Sequence, residues 1–119
     1  MKTVLIADDS LFMRTFLKKR ITEHNDFKIV EATNGLEAIM QFKKVHPDLT
    51  LLDITMPKVN GLTALKEIIK INPNARVIMC SALGSQMNII EAINIGAKDF
   101  IVKPNFNNLN EIINNNLNG

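Results

Sequence analysis

Residues 48–61 read DLTLLDITMPKVNG. From Leu49 to Leu52 the run is almost wholly apolar, which suits a strand covered on both faces rather than one with a wet side. It breaks at Asp53. Pro57 and Asn60-Gly61 then punctuate a loop, and beyond it Leu62, Leu65, Ile68 and Ile69 fall on one face at helical spacing. A buried strand, a loop and an amphipathic helix make one β/α unit.

The same unit recurs on both sides of this stretch. Apolar segments begin at Thr3 (TVLIAD), Phe27 (FKIVEA), Asp48 (DLTLLDI), Ala75 (ARVIMC) and Asp99 (DFIVK), so successive starts lie 24, 21, 27 and 24 residues apart. Such spacing is too long for hairpins and fits a strand, a crossover helix and the next parallel strand. The intervening helical faces are Met13, Phe16, Leu17 and Ile21; Ala38, Ile39 and Phe42; then Ile89, Ile90 and Ile93; and finally Leu109, Ile112, Ile113 and Leu117. Ser10, Asn34-Gly35 and Asn60-Gly61 stand where helices should open, and Gly96 where the fourth should close. Five units are too few for a barrel of eight, so the fold expected is an open, doubly wound α/β sandwich: a five-stranded parallel sheet with five helices. Residues 105–118 hold eight Asn, so the last helix should depend on docking for its stability.

Composition narrows the function classes. A chain of 119 residues suits one domain spanning 1–119. Its 46% hydrophobic and 22% charged residues are ordinary for a globular protein. With Cys80 alone, no internal disulfide or thiolate metal site can form, and a reducing, cytoplasmic compartment is expected. The apolar runs VLIA and IIEAINI fall well short of the roughly 20 residues of a membrane-spanning helix. The opening MKTVLIADDS lacks the apolar core of a signal peptide, so neither membrane insertion nor export is expected. Fourteen Lys and Arg against twelve Asp and Glu leave +2, with no aromatic residues set among the basic ones, so no nucleic-acid partner is expected. Lys18-Lys19-Arg20 reads as a solvated helix face, and His24 and His46 as surface residues.

In open α/β sheets ligands bind beyond the carboxyl ends of the strands. Those ends carry Asp8-Asp9 on the first strand, Asp53 on the third, Ser81 on the fourth and Lys103 on the fifth; the second, ending at Ala32, offers nothing comparable. Singly, each is an ordinary cap, turn former or solvated lysine. Together they make three mutually repelling carboxylates that need a cation, and an all-oxygen donor set is what Mg²⁺ prefers. With no His or Cys donors alongside, zinc and copper are poor candidates. A divalent ion, an ammonium and a hydroxyl suit the equatorial oxygens of a phosphoryl group. Asp53, central in the sheet, is the candidate nucleophile and would form an aspartyl phosphate; no general base stands beside Ser81.

ADDS at the first strand end, LLDITMPKVNG around Asp53, CSA at the fourth and DFIVKP at the fifth together resemble the response-regulator receiver domain over the whole chain. The run SALGSQMNIIEAINIGAKDFIVKP is similar to the stand-alone chemotaxis regulators of that family. The resemblance implies a flavodoxin-like fold with strand order 2-1-3-4-5. It implies that Asp53 takes a phosphoryl group from a phosphohistidine on a sensor histidine kinase. Mg²⁺ would be held by Asp9 directly, by Asp8 through water, by the Asp53 side chain and by the Thr55 main-chain carbonyl. Ser81 and Lys103 would contact the phosphoryl oxygens, and Lys103-Pro104 would be a cis peptide. Phosphorylation would draw Ser81 towards Asp53 and let Phe100 turn inward, changing partner binding at the fourth helix, fifth strand and fifth helix.

On this reading the protein is a monomeric phosphoacceptor switch, not an enzyme in the ordinary sense, and its downstream partner is the flagellar motor switch. A stand-alone phosphorelay intermediate is the alternative. Phe100 stands where the chemotaxis regulators often carry Tyr. Thr55 and Leu83 supply no carboxylate or amide to orient an attacking water, so slow self-dephosphorylation is expected. KPNFNNL is also one residue longer than the usual KPF junction. A haloacid-dehalogenase-type phosphatase would need a second Asp at position 55 as proton donor, and Thr55 cannot serve. A flavodoxin would need a phosphate loop after the first strand and a Trp or Tyr to stack on flavin, and the sequence holds neither. The complete set Asp8, Asp9, Asp53, Ser81 and Lys103 argues against a degenerate receiver that only docks partners.

Overall fold

The computed structural model describes residues 1–23 and 25–118, the last without its side chain; the surface expectation for His24 lies outside the described residues. Strands and helices alternate: β1 (Lys2–Ala7), α1 (Leu11–Thr22), β2 (Phe27–Ala32), α2 (Gly35–Val45), β3 (Leu49–Leu52), α3 (Gly61–Ile71), β4 (Val77–Ser81), α4 (Gln86–Ile95), β5 (Asp99–Val102) and α5 (Leu109–Asn118). All strand pairs are parallel, in the order β2-β1-β3-β4-β5. This is the flavodoxin-like doubly wound sheet that the resemblance implied.

Side-chain alternation along each strand sorts the core into two layers. Leu5, Ala7, Leu52, Val77 and Met79 pack against α2, α3 and α4. Val4, Ile6, Leu49, Leu51, Ile78 and Cys80 pack against α1 and α5. Strands β3 and β4 are buried along their whole length, as their continuous apolar runs required. Leu109, Ile113 and Leu117 of the Asn-rich α5 are all buried in the second layer, so docking does hold that helix.

Helix starts follow capping chemistry. Ser10 Oγ accepts from the Met13 N–H at 3.2 Å, Asn34 Oδ1 from Glu37 at 2.8 Å, and Asn60 Oδ1 from Thr63 at 3.0 Å. Gly96 closes α4 at φ 140°, a conformation open mainly to glycine. No helix among the described residues is long and apolar enough to cross a membrane.

One expected face is corrected. Ile90 and Ile93 of α4 are 51% and 44% exposed; Ala92 is the buried residue, with Ile95 packed beside it. The helix is apolar at Met87, Ile89, Ile90, Ala92, Ile93 and Ile95, so periodicity alone admits several overlapping stripes. It lies over the sheet edge against α3 and β5, and a short side chain at Ala92 permits that approach.

Candidate functional site

Parallel pairing brings the carboxyl ends of the strands to one edge. Ala7 pairs with Leu52, so the next residues, Asp8 and Asp53, stand side by side. The Asp53 N–H donates to the Ala7 carbonyl at 3.0 Å and extends that ladder by a rung. Ser81 pairs with Val102, and the Lys103 N–H donates to the Ser81 carbonyl at 3.0 Å. Lys103 thus leaves β5 at the same edge and reaches back towards the middle of the sheet.

Its ammonium lies 2.7 Å from Asp8 Oδ2 and 3.2 Å from Asp53 Oδ2. Both carboxylates are buried, at 2% and 6% residue exposure, so repulsion between them would be costly without this shared cation. Each carboxylate also has a main-chain donor: Ser10 N–H to Asp8 Oδ1 at 2.9 Å and Ile54 N–H to Asp53 Oδ1 at 2.7 Å. Burial works against the charge on Lys103. The hydrogen bond to Asp8 and the charges of Asp53 and Asp8 outweigh it, and the pKa of the ammonium is raised. Behind the site, burial pushes the Cys80 thiol up to about 12, so it stays protonated and inert at neutral pH.

Asp9 differs from its neighbour. It is exposed, yet one oxygen from each of Asp8, Asp9 and Asp53 lies within 4.8 Å of the others. Three hard oxygen donors converging on one point fit a hard divalent cation such as Mg²⁺, with coordination positions left for water. Near neutral pH the lysine neutralises only part of this negative charge.

The remaining candidates take different positions. Ser81 is buried at the end of β4 and its Oγ accepts from the Leu83 N–H at 3.1 Å. Among the described residues it makes no hydrogen bond to the acidic cluster. Thr55 is exposed, two residues past Asp53 in the β3–α3 loop. Phe100 is half-buried on β5 and packs into the layer of α2, α3 and α4. Lys103-Pro104 is cis, as the resemblance implied.

Sequence reading passed over a further pair beside the cluster. The Arg14 guanidinium donates through Nε to Glu31 Oε1 at 3.0 Å and through Nη1 to the Asp8 carbonyl at 2.9 Å. Two signals were present. Arg14 is a cation in the first turn of a helix, where the dipole disfavours one. Glu31 is the charged residue of β2 that shares the alternation of Phe27 and Ile29, which face the core.

The response regulator receiver domain family matches residues 4–114 of this chain. The chemotaxis protein CheY of Thermotoga maritima is 56% identical over 87% of this chain and 86% of its own length. CheY of Listeria monocytogenes is 53% identical over 87% of each. Among solved structures, the CheX-CheY-BeF3-Mg complex from Borrelia burgdorferi superposes with a TM-score of 0.89 at 39% identity, covering 96% of this chain and 87% of that one.

Proposed function

Because this chain belongs to the response regulator receiver domain family, we propose that it is a chemotaxis response regulator whose phosphoryl acceptor is Asp53. The observation that carries the proposal is the buried Asp53 carboxylate, tied through Lys103 to Asp8 and set within chelating distance of Asp9. The donor is a phosphohistidine on a sensor histidine kinase. An Asp53 oxygen attacks phosphorus, the O–P bond forms as the N–P bond breaks, and the imidazole leaves with the electron pair and takes up a proton.

The chain's own groups account for most of the site's work. Lys103 neutralises charge on the transferring oxygens while Asp8 keeps it oriented. The Ser81 hydroxyl, which accepts from Leu83, still has its own proton to donate to a phosphoryl oxygen. Asp8, Asp9, Asp53 and the Thr55 main-chain carbonyl would hold Mg²⁺, which supplies further neutralisation of the phosphoryl charge when bound. Movement of Ser81 towards the new phosphoryl group opens space for Phe100, and the surface of α4, β5 and α5 changes with it. Output is therefore partner binding by a single cytoplasmic, monomeric receiver domain, with the flagellar motor switch as the downstream protein. The names of the CheY relatives support the chemotaxis assignment.

Acetyl phosphate with Mg²⁺ tests this directly. Peptide mapping should find one added phosphoryl group on Asp53 in wild type and none in Asp53→Ala. Continuous turnover of phosphate esters would point to a phosphatase instead, and absence of both activities to a receiver that is not phosphorylated.

A further inference from the structure

Arg14 is charged, only 11% exposed along its side chain, and placed in the first turn of α1, where the helix dipole opposes a cation. Something must offset that cost. Strand alternation supplies it: Phe27 and Ile29 of β2 face the layer of α1 and α5, so Glu31, two residues further on, faces the same helix and meets Arg14 Nε at 3.0 Å. The second contact of Arg14 is the less expected one. Its Nη1 donates to the main-chain carbonyl of Asp8 at 2.9 Å, just past the end of β1. The Asp8 N–H is meanwhile held by the Ala32 carbonyl of β2 at 3.1 Å.

The backbone of Asp8 is thus pinned through both its N–H and its C=O. Its C=O shares a peptide plane with the N–H of Asp9, so the pin fixes the plane from which Asp9 leaves and narrows the directions open to its side chain. Asp9 needs such help. It is exposed and makes no side-chain hydrogen bond among the described residues, yet its carboxylate must meet those of Asp8 and Asp53. We propose that Arg14, oriented by Glu31, is a positioning residue for the divalent-cation site and acts through the Asp8 carbonyl on Asp9. This rests on reading Asp8, Asp9 and Asp53 as that site. Arg14 and Glu31 cancel in charge, so the pair adds geometry to the site with little added field.

That cancellation makes the test decisive in sign. If Arg14 acted only as a nearby positive charge, Arg14→Met would leave Glu31 uncompensated and tighten Mg²⁺ binding. As a brace, its loss should weaken binding by about tenfold or more, the usual cost of removing an outer partner of a metal ligand. Isothermal titration of Mg²⁺ into wild type, Arg14→Met and Glu31→Gln, each confirmed folded by circular dichroism in EDTA, reads this directly. Both variants should bind more weakly, Glu31→Gln by a smaller factor. An Arg14→Met protein that binds Mg²⁺ as tightly as wild type, or more tightly, overturns the proposal. Should Arg14→Met fail to fold, Arg14→Lys takes its place, because an ammonium keeps the charge and lacks the planar fork that reaches both partners. Weaker binding by that variant supports the brace and unchanged binding overturns it. Wild type that binds no Mg²⁺ would instead remove the cation site itself and the functional reading with it.

Discussion

An aspartyl phosphate is an acyl phosphate, and its lifetime depends on which side chains can hold a water in line behind phosphorus. Thr55 is exposed beside Asp53, and Leu83 is 47% exposed just past Ser81. Neither carries a carboxylate or amide. Phosphorylated protein freed of donor should therefore lose its label slowly. Thr55→Asn, which adds an amide, should speed the loss by roughly tenfold, a modest share of what a well-placed proton-transfer or water-orienting group gives. Following intact mass after rapid desalting measures both rates, and fast loss from wild type would contradict the first expectation. At this scale the sequence was informative wherever a polar residue ended an apolar strand, because pairing register places such residues without further information. It was silent on the Arg14–Glu31 contact, since the two are 17 residues apart and meet only through the packing of α1 on β2.

Elements were legible where one stripe of apolar residues stood out, as in α3 and α5, and where a capping side chain marked the start. The α4 helix defeated that logic because it is apolar nearly all round, and the sheet edge beneath it buries Ala92 while leaving Ile90 and Ile93 outside. A tighter constraint governs the start of α3. A Cβ on Gly61 would lie 1.8 Å from the carbonyl oxygen of Asp53, and the Gly61 N–H donates to the Ile54 carbonyl at 2.7 Å. Gly61→Ala must push the β3–α3 loop away from Asp53 itself. It should destabilise the protein by about 1–3 kcal/mol, as overpacking does, with phosphorylation by acetyl phosphate reduced in the folded fraction. Urea unfolding and the rate of mass gain report the two effects separately. Asn60→Ala, which removes only the cap, should cost about 1 kcal/mol and leave the rate near that of wild type.

For the molecule as a whole, a buried thiol and a half-buried ammonium set the response to alkali. The Cys80 thiol is raised from 9.0 to about 12 in the folded state. The unfolded chain therefore loses this proton first, and stability falls as pH rises from about 9 towards 12. Lys103 is also raised from 10.5; its ion-paired contribution is fully present below 10.5 and is lost as pH climbs through the higher folded value. Thermal unfolding followed by circular dichroism should show a midpoint that drops above pH 9. Cys80→Ala should flatten the early part of that drop. The stability gap between wild type and Lys103→Met should be wide at pH 8 and narrow above 10.5. A gap that stayed constant would remove Lys103 from this account. The doubly wound architecture was legible from spacing and burial alone, whereas strand order was not, because five similar β/α units can be threaded in more than one sequence across a sheet.

The lysine that reconciles the two buried aspartates directly follows β5, an edge strand paired, among the described residues, only with β4. Any form in which that outer strand has frayed loses the countercharge before it loses the aspartates. If Asp53 takes a phosphoryl group as proposed, readiness to be labelled would be tied to completion of the fold: a chain still missing its outermost strand would present an electronegative notch to an incoming phosphate donor.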